Sequence, residues 1–179
     1  MEKSSSIQVT FTTGHRNLPY ATDEENGHHP MIWLSREPER ITEIPELQNE
    51  PELKAFISAI NAPGRHFETF RCAHSDTEAP GSYTRAMYVA VLFRDRALAA
   101  SIDNYMILAR EIVTGTANHP DFPANTVPFE LRLAQHWLKE ESAWVYTADI
   151  QFWIQALDQA AMRNEMSKEM AFLEKILTS

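Results

Sequence analysis

Ile7 to Thr13 alternates apolar Ile7, Val9 and Phe11 with polar Gln8, Thr10 and Thr12. This period-two pattern predicts a half-buried strand ending at Gly14. A long polar connection from His15 to Pro30 leads to a short apolar run, Met31 to Leu34, which reads as a second strand. Pro38, Pro45 and Pro51 forbid a continuous helix in the glutamate-rich stretch from Arg36 to Glu52. Asn49 and Glu52 then have capping-box spacing, with Pro51 in the first turn. Leu53, Phe56, Ile57 and Ile60 mark the apolar stripe of a helix that Pro63 and Gly64 stop. Phe67 to Ala73 and Tyr83 to Phe93 are strand-like, and Ser75 to Ser82, holding Asp76, Pro80 and Gly81, returns the chain as a hairpin.

The second half reads as helical. Asp95 is placed to cap a helix carrying Leu98, Ile102, Tyr105, Ala109 and Ile112 at spacings of three and four, until Gly115 ends it. Thr126 precedes a predicted helix bearing Leu131, Ala134, Trp137 and Leu138. Trp144 to Ile154 fits either a strand, with alternate residues inward, or a helix through Ile150, Trp153, Leu157 and Ala161. Helix from about Thr147 is preferred, because Ala, Gln and Met enrich the stretch and neither Gly nor Pro interrupts it. Met166, Met170, Leu173 and Leu177 close the chain as an amphipathic helix. These elements predict an α+β fold, a mainly antiparallel sheet from the N-terminal half packed against helices mostly from the C-terminal half, with residues 1–179 forming a single domain.

Charge and cysteine usage narrow the function classes. The 179 residues carry 25 acids and 16 bases, a formal net charge of −9, so the field repels polyanions and no nucleic-acid partner is expected. One cysteine, Cys72, excludes an internal disulfide. With no apolar leader behind Met1 and no apolar run long enough to span a bilayer, the expectation is a soluble cytoplasmic protein without a membrane partner.

Motif chemistry is sparse. The five glycines are isolated, so phosphate-cradling Gly-rich loops are missing, and no G-x-S-x-G elbow, C-x-x-C or H-E-x-x-H occurs. No cofactor and no metal are expected. Strand alternation sets His66, Glu68, Phe70, Cys72 and His74 on one face, where His15 or the pair His28 and His29 would be needed to complete a metal site. Cys72 beside His74 and Arg71 is the one nucleophile to weigh, against an inert core thiol.

Arginine usage carries more information. Between Asn61 and Ala117 there are six arginines and no lysine. A hairpin closing around Glu78 to Pro80 places Arg71 and Arg85 on one sheet face, able to fork onto a carboxylate or phosphate. The stronger expectation is that they pair with carboxylates of the same chain, as in the acidic Glu37 to Glu52 segment. Glu68, His74 and Tyr88 fall on the reverse face in that register and join the arginines only through a bulge. Trp137, Trp144 and Trp153 form an aromatic concentration suited to a core or to a partner anchor.

Two functions follow. The first is a noncatalytic interaction module, an inhibitor, immunity-type or adaptor protein that binds another protein or its own copy. The second is a small enzyme or anionic-ligand protein using Arg71 and Arg85 with His74 or Glu68; no catalytic residue is assigned.

Overall fold

The computed structural model describes residues 7–20, 30–120, 122 and 129–179, leaving aside the side chains of 13–16. Strands β1 (Gln8–Leu18), β2 (Phe67–Ala79), β3 (Ser82–Phe93), β4 (Phe129–Leu138) and β5 (Ala143–Ala156) form one sheet in the order β1-β4-β5-β3-β2. Among the described strands only the β1–β4 pair is parallel. Helices α1 (Pro51–Asn61), α2 (Arg96–Ala99), α3 (Ile102–Asn118) and α4 (Gln159–Leu177) complete an α+β arrangement. No helix among the described residues is long and apolar enough to cross a membrane.

Alternation along the strands builds the core. Met87, Val89 and Val91 of β3, Ala148, Ile150, Phe152 and Ile154 of β5, and Leu131 and Leu133 of β4 pack in one cluster with the apolar stripes of α1, α3 and α4. Among the described residues, the opposite sheet face is covered at one end, where Leu18, Trp33, Phe70, Ala90, Leu92, Ala99, Leu138 and Val145 form a second cluster. Gly115 does not end α3. It lies within that helix, where an added Cβ would sit 2.9 Å from the Phe172 ring of α4, so the missing side chain permits a close helix crossing.

Four local expectations are corrected. Met31 to Leu34 is not a strand; Trp33 enters the second cluster and Leu34 the first, so the run is apolar because neighbouring residues serve two different cores. The Asn49–Glu52 capping box is absent: Glu50 is the N-cap of α1 without a side-chain cap bond, its carboxylate being drawn to Arg85. The predicted helix at Leu131–Leu138 is β4. Leu131 faces the helices while Ala134 and Leu138 face the reverse side, so two period-two patterns overlaid on a strand buried on both faces imitate helical spacing. The helix preferred from Thr147 is β5, where pairing on both sides overrides the helix propensity of Ala and Gln. Thr126 and the pair His28 and His29 lie outside the described residues, as does the side chain of His15.

Candidate functional site

The hairpin register decides where the chemistry goes. β2 and β3 meet at a two-residue turn, Pro80-Gly81, in which Gly81 takes φ +74°. Pairing runs from Ala79↔Ser82 to Phe67↔Phe93, with Phe70 as an extra residue between Thr69 and Arg71. Arg85 pairs with Asp76 and Arg71 with Ala90. The two arginines therefore lie on opposite faces, not on one. The bulge also splits the expected His66-to-His74 row: Cys72 and His74 share the helix-bearing face with Arg85, while Glu68, Arg71 and Tyr88 share the other.

Arg85 is 1% exposed, inside the core beneath the helices. Its Nε donates to Asp76 Oδ1 at 2.7 Å, and one terminal nitrogen donates to Asp76 Oδ2 at 2.7 Å and Glu50 Oε1 at 2.9 Å. The other donates to Glu50 Oε2 at 2.7 Å and approaches Met166 Sδ at 3.5 Å. All five guanidinium donors are directed at protein atoms, so no capacity is left for an external anion. Hydrogen bonds from Arg85 and from Tyr83 (2.7 Å) hold the Asp76 carboxyl below its usual range, and Asp76 in turn raises Tyr83. His74 Nε2 stands 3.9 Å from Glu50. This knot ties β2, β3 and the start of α1 together.

Glu68 is equally occupied. It accepts from Ser35 and, at 2.8 Å, from Arg96, which also binds Glu141 at 3.0 Å. Arg96 and Arg36 both lie over the Trp33 indole, 5.8 and 5.2 Å from its centroid, and Arg36 bonds Glu140 at 2.6 Å. The network fastens residues 33–36 to α2 and to the turn between β4 and β5.

Arg71 is more accessible. Its guanidinium binds Asp149 of β5 and lies between the rings of Phe70 (5.6 Å) and Tyr88 (5.5 Å). Small Ala90 separates the two charged residues in a cross-strand row, letting the arginine reach over it. Burial raises the Tyr88 and Tyr20 phenols. Burial, with the Glu46 carboxylate nearby, pushes the Cys72 thiol up to about 12, the reverse of what a nucleophile needs. No group of three or more His, Cys, Asp or Glu among the described residues is arranged to hold a metal. A cleft of about 440 Å³ lies between the hairpin turn and the start of α4, lined by Glu78 to Tyr83 and Leu157 to Gln159; no histidine borders it.

The tryptophans divide. Trp137 and Trp144 are cross-strand partners, ring centroids 5.3 Å apart, on the helix-bearing side, with Trp144 44% exposed. Trp153, 47% exposed, is on the opposite face and nine residues along β5. Sequence reasoning missed Asp149 and Phe11. Asp149 is invisible as a partner of Arg71 without the register of β5. Phe11 fits the inward phase of β1, yet the strand is at the sheet margin and the ring is 59% exposed. Searches of family models, curated proteins and solved structures return no match to this chain, so its function has to be read from this geometry.

Proposed function

We propose that this chain is a noncatalytic protein-interaction module of the reducing cytoplasm, an inhibitor, immunity-type or adaptor protein. The observation that carries this reading is the exposure of large apolar side chains on the helix-bearing side of the sheet. Phe11 is on the edge strand β1 and Trp144 at the start of β5, and Met106 and Ile107 are exposed on the turn of α3 that Tyr105 ties to β5 through a 2.5 Å bond to the Tyr146 carbonyl. Exposed aromatic anchors of this kind dominate binding energy at protein interfaces. The internal saturation of Arg85 and Glu68 supports the same reading, since an anionic-ligand or enzyme function would need those groups presented to a ligand.

The test is affinity capture from the source cell with the intact chain, followed by mass spectrometry, comparing the natural sequence with Phe11→Ser and Trp144→Ser. A stoichiometric partner is expected whose recovery drops about tenfold or more in either variant, while urea stability changes by less than about 1 kcal/mol. No partner, or one retained by both variants, overturns the reading.

A further inference from the structure

The helix-free face holds a second surface of different character. Three adjacent strands set their outward residues in rows: Ala73–Tyr88–Gln151, Ser75–Ala86–Trp153 and Thr77–Thr84–Gln155. None of the nine carries a charge, in a chain of net charge −9. The row Arg71–Ala90–Asp149 bounds this grid on one side. Leu157, just beyond β5 and 82% exposed, extends its other end. Ser75, Thr77, Trp153 and Gln155 are exposed.

We propose that this grid is a self-association surface on which a second copy of the chain docks, sheet on sheet, about a two-fold axis. Charge identifies the occupant. In an isologous contact residues near the axis meet their own kind, so a charge there opposes itself, and a self-contact of this acidic chain needs neutral residues along the axis. Ala86 lies at the centre of the grid, with Thr84 and Tyr88 along the same strand. Its small side chain allows the spacing of about 10 Å that packed sheets adopt. With the axis along β3, β5 of one copy crosses β2 of the other, and the large Trp153 indole meets small Ala73 and Ser75. The footprint, three strands wide and three rows long, is roughly 15 by 20 Å. That is small beside the ~800 Å² per partner of stable complexes, so the dimer is weak. This surface is on the opposite face from Phe11 and Trp144.

Sedimentation velocity on the intact chain, from about 5 μM to about 1 mM to cover weak association, tests the proposal. The mass is expected to rise from 20.5 kDa toward twice that value. Added salt should strengthen association by screening the net charge, and the part of the tryptophan emission lost in Trp153→Phe should move to the blue as the protein is concentrated. Ala86→Glu, and independently Thr84→Glu, should hold the chain monomeric with unchanged far-UV circular dichroism. Phe11→Ser should leave the dimer intact, which separates this surface from the partner-binding face that carries Phe11. The proposal is overturned by a monomer throughout the range, or by a dimer that survives both glutamate variants.

Discussion

The two faces of the sheet treat the same residue type in opposite ways. Arg85, under the helices, is enclosed by two carboxylates and a thioether with every donor used. Arg71, on the helix-free face, has one carboxylate partner, two aromatic neighbours and a side chain 22% exposed. Arg85 occupies a position where a core residue would stand, and Glu50 and Asp76 compensate for its desolvation. Arg71 keeps part of its hydration and needs only one partner. A buried cation thus organises three elements of the fold, whereas a half-exposed one marks the border of a neutral surface.

Breaking the knot should have the largest effect. Arg85→Met leaves Glu50 and Asp76 without their cation, and a loss of about 3–5 kcal/mol is expected in urea unfolding. A loss below about 1 kcal/mol would mean that Arg85 does not organise the core. Adding Glu50→Gln and Asp76→Asn to Arg85→Met should restore part of the stability by removing the stranded charges.

Glu169 on α4 sharpens the contrast, because it is a buried carboxyl on the same helix-bearing side with Oε2 unbonded among the described residues. Burial, aided by the Glu165 charge, pushes it up to about 8 from 4.5. Between those values the folded state keeps a proton that the unfolded chain releases, so stability declines as pH rises from 4.5 to about 8 and levels off above. Glu169→Gln should remove this decline and stabilise the protein at pH 8 by on the order of 2–4 kcal/mol in thermal or urea melts. An unchanged slope of stability against pH would locate the titration elsewhere.

Arg71→Met should have the smallest effect of the three, about 1–2 kcal/mol, since it takes the cation from one buried carboxylate, Asp149, where Arg85→Met takes it from two carboxylates. Urea melts of Arg71→Met and Arg85→Met made side by side decide the comparison: equal costs would abolish the distinction between the faces.

Legibility from the sequence followed the number of buried faces. α1 and α4 each bury one side, so Leu53, Phe56, Ile57 and Ile60 keep a helical stripe, and the β2–β3 hairpin, buried on both faces only at the end away from its turn, is marked by Pro80 and Gly81. β4 and β5 run inside the sheet with apolar residues on both faces, and their pattern imitates a helix. The candidate site was only half legible. Glu50 in the acidic segment was among the expected partners of an arginine, and it meets Arg85. The register of the Pro80-Gly81 turn put Cys72 and His74 with Arg85 and sent Arg71 to the reverse face, and the single bulged residue Phe70 then moved Glu68 to the side of Arg71. A bulge alters side-chain phase by one residue without a mark in composition.

What the amino-acid order determined alone is the α+β class, the strongly acidic balance, the missing phosphate-loop and zinc motifs, and the elements whose burial is one-sided. Only the tertiary structure decided which face each arginine takes, that β4 and β5 are strands, and that a grid of nine uncharged residues lies together on three strands. The physical reason is that local pattern encodes burial along one segment, whereas register, bulges and strand order arise from pairing between segments distant in sequence.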